Sequence, residues 1–121
     1  MSDNFTPASI KPRVPFGVLD TLDVRVGTIE RVEELPHSAK LMRLVVNFGN
    51  HTRNILAGNK KERANPREIE GKQALFVLNL EPRSMAGEIS EGMLFDLGYA
   101  DGLKPALAVP EHPVPNGTRA G

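Results

Sequence analysis

At 121 residues, with 15 Lys/Arg balancing 15 Asp/Glu and 40% apolar residues, the chain suits one domain with a modest core. It has no cysteine, which excludes disulfides, thiolate metal sites and a cysteine nucleophile. No apolar stretch approaches a membrane span, and Met1–Asn4 lacks the basic-then-apolar start of a secretory signal, so no membrane insertion is expected and a cytoplasmic protein is the natural reading.

Residues 1–16 carry three prolines and little periodicity, and residues 1–17 read as an extended N-terminal arm. From Leu22 apolar and polar residues alternate through Val24 and Val26. At Gly27 the phase shifts to Ile29 and Val32, as a bulge or sharp bend would shift it in one long strand over about 22–34. The loop LPHSAK (35–40) leads to a second strand at about 41–48, with Met42, Leu44, Val46 and Phe48 on one face. Gly49-Asn50 is a turn pair before a third strand at about 52–57. In the charged segment 58–71, Asn65 is placed to cap a short helix that starts at Pro66 and ends at Gly71.

A fourth strand is expected at about 73–80 and a fifth at about 92–97, separated by EPRSMAGEISEG (81–92). That insert is longer and more polar than a turn requires, which suits a functional loop. Eleven glycines and ten prolines favour such short strands over long helices. Five strands with a short helix between the third and fourth are the pattern of an all-β oligonucleotide/oligosaccharide-binding (OB) barrel, here with a C-terminal extension. That barrel binds ligands on its strand 2–3 face and with its 1–2 and 4–5 loops, here 35–40 and 81–92.

Charge is unevenly spread. Residues 40–83 hold nine Lys/Arg against four acids, leaving −2 before them and −3 after. A basic centre could form one positive face for a nucleic acid, or be a mixed solvated surface. His37, His51 and His112 lack metal-ligand spacing, and no HExxH, P-loop or GxSxG is present. No catalytic residue, metal or cofactor is therefore expected.

The stretches DVRVGTIERVEELPHSAKL (23–41), NILAG (54–58), VLNLEPRSMAG (77–87), SEGMLF (90–95) and VPNGTRAG (114–121) together resemble the tRNA-binding domain family. The likeness covers about 18–121, and its stand-alone branch resembles the export-related chaperone CsaA and the C-terminal domain of methionyl-tRNA synthetase. It implies an OB barrel that recognises tRNA by shape, and a homodimer built through about 99–121. The alternatives it leaves open are a chaperone for unfolded polypeptides that serves export machinery, and a module docking on a synthetase. The positions it implies for RNA contact are Lys40, Asn79, Arg83, Ser84, Met85, Ser90, Glu91 and Met93.

The chemistry of these residues is compatible with that role, though not unique to it. Lys40 and Arg83 suit phosphates, Arg in a two-pronged manner. Asn79 ends an apolar run and must satisfy either backbone or a ribose or base. Met85 and Met93 offer polarizable surface to bases, or fill core. A Glu91 carboxylate repels phosphate, and suits backbone N–H groups or a 2′-hydroxyl better. Relatives often carry basic residues where this chain has Glu81 and Ala86, so the loop is less positive than theirs.

Overall fold

The computed structural model describes residues 5–121; the first four residues of the expected arm lie outside the described residues. Residues 5–15 are exposed and without regular structure, and a short helix α1 (Phe16–Asp20) follows, begun by Pro15 in extended conformation. The arm is therefore not extended to residue 17 as expected. The helix buries none of its own residues.

The strands are β1 (Val24–Glu34), β2 (Met42–Asn47), β3 (Thr52–Ala57), β4 (Gln73–Val77), β5 (Arg83–Met85), β6 (Glu88–Ser90), β7 (Met93–Leu94), β8 (Asp96–Leu97) and β9 (Ala106–Leu107). Five of them form one antiparallel sheet in the order β3-β2-β1-β4-β7, rolled into a nearly closed barrel as the OB pattern anticipates.

One long strand serves both halves of that barrel. The first part of β1 pairs with β4, from Val24 opposite Val77 to Thr28 opposite Gln73, and the second with β2, from Thr28 opposite Asn47 to Glu34 opposite Met42. The register slips between Ile29 and Arg31, so the phase shift legible in the sequence is a bulge. Gly27 permits the tight coil beside it: a Cβ there would lie 2.6 Å from Val46 Cγ1 and 2.7 Å from Phe48 Cε1.

Alternation on β2 drives Met42, Leu44 and Val46 inward, where they meet Ile29, Val32, Ile55, Ala74 and Phe76, all buried. Burying each large side chain is worth roughly 1.5–3 kcal/mol against exposure. Ile69 plugs the barrel from a 3-10 turn (Pro66–Ile69) whose N-cap Asn65 accepts from the Arg67 N–H, after a one-turn helix α2 (Asn59–Glu62). The expected helix between strands three and four is thus two short pieces.

Three boundaries differ from expectation. β1 starts at Val24 and β4 stops at Val77: the Leu78 N–H still donates to the Asp23 carbonyl at 2.8 Å, but the Asp23 N–H turns to the Asn79 side chain and the Leu78 carbonyl accepts from Arg53. The fifth strand is divided: β7 pairs with β4, whereas β8 pairs with β9. Asn116-Gly117 is more than a turn. The Asn116 Oδ1 accepts from Thr28 Oγ1 and Gln73 Nε2, and residues 117–120 exchange backbone hydrogen bonds with Val24 and Val26, fastening the chain end to β1.

Candidate functional site

Residues 81–92 are not an open loop. β5 and β6 form a hairpin closed by the two residues Ala86 and Gly87, at φ +50° and +77°. Paired positive φ values give a turn whose twist matches its strands, and glycine adopts them without strain whereas alanine does not. Because side chains alternate, Arg83, Met85, Glu88 and Ser90 share the face turned to the barrel, and Ser84 and Ile89 the other. The outer pair is exposed, Ile89 by 61%.

The hairpin is held at its base by side chains that replace a strand ladder. The Leu56 N–H donates to Ser90 Oγ at 3.0 Å, and that hydroxyl donates to the Gly92 carbonyl at 3.0 Å. One residue along, the Asn54 N–H donates to Glu91 Oε1 at 3.0 Å, and the Glu91 N–H returns to the Asn54 carbonyl at 2.9 Å. These bonds close the seam between β3 and β7. Gly92 is required there: it sits at φ +157°, and a Cβ would lie 2.9 Å from the Val77 carbonyl oxygen. Arg53 ties the same seam to the end of β4, its Nη1 donating to the carbonyls of Leu78 and Glu91 at 2.7 and 3.1 Å.

Met85 joins the two candidate loops. It packs on a small cluster of Leu35, Leu41 and Leu56, which places the hairpin beside the loop that carries Lys40. Between hairpin and barrel lies a pocket of about 120 Å³, lined by Leu56, Leu80, Glu81, Arg83, Met85, Ser90, Gly92 and Met93.

Of the eight residues singled out from the sequence, Arg83, Met85, Ser90 and Met93 share this pocket. Lys40 is exposed on the adjoining loop, and Ser84 points away from the pocket. Ser90 is 5% exposed with its hydroxyl engaged on both sides. Glu91 spends its carboxylate on the Asn54 N–H. Asn79 is a clamp on the start of β1: its Oδ1 accepts from the Asp23 N–H at 2.7 Å and its Nδ2 donates to the Thr21 carbonyl at 2.6 Å. Beside it, a hydrogen bond from Arg25 holds the Asp23 carboxyl below its usual range.

Ion pairing sorts the nine basic residues of the central segment. Arg43 pairs with Glu33 and Glu88, Lys60 with Glu34, Arg63 with Glu68 and Arg67 with Glu70, while Arg53 is committed to carbonyls. Among the described residues, the side chains of Lys40, Lys61, Lys72 and Arg83 have no such partner. Lys72 lines a separate cleft with Thr28, Gln73 and His112. Cations available near the hairpin are thus fewer than composition suggests.

Sequence reasoning passed over Arg43, Arg53, Glu88 and Ile89. Arg43 and Glu88 are 45 positions apart and Arg53 and Glu91 are 38 apart, so no local pattern marks them. Alternation through Arg83–Ser90 could have exposed Ile89 had the hairpin turn been recognisable.

Residues 24–119 match the family described as "Putative tRNA binding domain". The methionine–tRNA ligase of Chloroherpeton thalassium is 38% identical over 107 residues, which are 88% of this chain but 15% of the ligase. That of Chlorobium luteolum is 43% identical over 84 residues, 69% of this chain and 12% of the ligase. The chain therefore spans only a small part of the length of these curated relatives. Among solved structures, a MetRS related protein from Pyrococcus horikoshii superposes with a TM-score of 0.83 at 32% identity, covering 92% of this chain and all of that one. Chaperone CsaA from Bacillus anthracis str. Ames gives 0.77 at 31% identity, covering 91% and 100%.

Proposed function

The chain belongs to the tRNA-binding domain family, and from that premise we propose that it binds structured RNA, tRNA foremost, without catalysis. The observation that carries this reading is the cleft beside the hairpin, whose Met85 packs against the neighbouring Lys40 loop, with Lys40 and Arg83 as cations that no carboxylate among the described residues claims. Lys40 and Arg83 anchor phosphates, and Met85 and Met93 lend apolar surface to bases or riboses at the cleft. Ser90, Glu91 and Asn79 serve binding by shaping the hairpin and the barrel end around that cleft. Recognition is by shape, since the cleft offers few side chains free to read base edges.

The test is a titration of total tRNA at several salt concentrations. Each phosphate neutralised contributes about 0.7–0.9 to the slope of log affinity against log salt, so Lys40 and Arg83 predict roughly 1.4–1.8 per subunit. Lys40→Ala and Arg83→Ala are each expected to lower that slope by about 1. A salt-independent affinity, or no binding at low salt, refutes the reading. The second reading, binding of unfolded polypeptides, is supported by the apolar lining of Leu56, Leu80, Met85 and Met93 and by the likeness to a chaperone. It predicts that such peptides bind where tRNA does not.

Self-association belongs to the same proposal. Phe16, Val18, Leu19 and Leu22 at one end, and Leu97, Tyr99, Leu103 and Val109 at the other, leave apolar surface open, Phe16 by 88%. Residues 114–120 are tied to the chain's own barrel, which leaves the earlier part of the 99–121 segment for a second copy. Sedimentation of Tyr99→Asp should show loss of dimer mass, and a monomeric parent would remove this part of the reading.

A further inference from the structure

The hairpin meets the barrel as one pair of residues on another. On the hairpin, Met85 stands opposite Glu88; on the barrel, Leu56 of β3 stands opposite Arg43 of β2. Met85 packs on Leu56, and Glu88 forms an ion pair with Arg43. The apolar pair and the charged pair together set both the height and the tilt of the hairpin over the cleft. The Arg43 guanidinium is paired with two carboxylates, its Nη1 donating to Glu33 at 3.2 Å and its Nη2 to Glu88, with only 25% of the side chain exposed.

We infer that Arg43 and Glu88 are a positioning pair for the RNA-binding hairpin: Arg43 acts on binding through Glu88, and does not itself hold phosphate. A phosphate would have to compete with two carboxylates at Arg43, whereas Arg83 has no such competitor among the described residues. The inference deepens the RNA-binding reading and rests on it for its consequence, though not for its geometry.

The two roles make opposite predictions at Glu88. If Arg43 contacted phosphate, removing the Glu88 charge would free it, and Glu88→Gln would bind tRNA more tightly. A positioning pair requires Glu88→Gln to bind more weakly. We expect Arg43→Gln and Glu88→Gln each to weaken total-tRNA binding by about 2- to 5-fold, the range a partly exposed pair supports. The double variant should be no weaker than either single one, because both break the same contact. The salt slope should stay at the parent value in all three, unlike that of Arg83→Ala.

Hydrogen exchange without RNA supplies the independent readout. Amides of residues 83–90 should exchange faster in both single variants, while those of β1 and β2 keep parent rates, which also reports that the barrel is folded. Tighter binding by Glu88→Gln, a slope lowered by about 1 in Arg43→Gln, or unchanged exchange in the hairpin overturns the inference while RNA binding by the parent stands. Faster hairpin exchange with no tRNA binding by the parent removes the RNA reading and overturns the pair's role in binding.

Discussion

Replacing Ser90 by alanine should loosen the barrel more than its single lost oxygen suggests. The Leu56 N–H donates to this hydroxyl, which gives its own proton to the Gly92 carbonyl. Ser90 and Leu56 are both buried, at 5% and 6% exposure, so water cannot freely replace the oxygen. An orphaned buried donor costs about 1–3 kcal/mol. Unfolding entropy of about 2.1 cal/mol/K per residue gives roughly 250 cal/mol/K for a chain of this length, so the melting point should fall by about 4–12 °C. Calorimetry at one fixed protein concentration measures this, since any self-association makes the transition concentration-dependent. Ser84→Ala is the control, on the same hairpin but facing solvent, and should move the transition by no more than about 2 °C. If Ser90→Ala melts no lower than Ser84→Ala, the seam is not held by this hydroxyl and the account of the SEG stretch is wrong.

Asp96→Asn should stabilise the protein at pH 7. Burial raises the Asp96 carboxyl above 3.8, with one oxygen buried and unpartnered, and burial followed by the Asp96 charge raises Glu62 above 4.5. A raised carboxyl means the folded state holds its proton longer, so stability falls as pH climbs upward from the ordinary carboxylate range. Urea unfolding should therefore show the variant's advantage shrinking as pH drops from 7 toward about 4; an advantage that grows on acidification contradicts the burial argument. Ala86→Asn should slow hydrogen exchange across residues 83–90 and gain about 1 kcal/mol in hairpin opening, because asparagine tolerates the left-handed backbone that alanine occupies at φ +50°. Unchanged or faster exchange would show that Ala86 is not strained. Asn79→Ala should cost about 1–2 kcal/mol in urea unfolding by releasing Thr21 and Asp23; weaker tRNA binding at unchanged stability would instead make Asn79 a ligand contact.

The barrel was largely legible in the chain. Alternation through Met42, Leu44 and Val46, and the phase change from Val26 to Ile29 and Val32, are local consequences of one buried face, so they survive as pattern. The Asn65-Pro66 start was legible for the same reason, since a cap acts on its own next residues. The hairpin inside 81–92 was not. Its strands are three residues each, too short for a period to declare itself, and Ala86-Gly87 departs from the usual Asn-Gly signature. The broken fifth strand was hidden likewise, because its division depends on β9, which pairs with it from across the C-terminal extension.

The candidate residues divide along the same line. That Lys40 and Arg83 are cations and that Glu91 prefers a donor are properties of the side chains, and these the sequence alone determined, together with the order of strands and the turn chemistry between them. Which cations stay available was decided only by tertiary structure. Lys60 and Arg43 look equal to Arg83 in the sequence, yet each meets a carboxylate brought by another part of the chain, whereas Arg63 and Arg67 pair with Glu68 and Glu70 close by. Charge is a one-residue property, but pairing depends on distance, and distance is set by how the barrel rolls β3 against the hairpin. That roll brings Arg43 to Glu88 and leaves Arg83 at the cleft without a partner among the described residues.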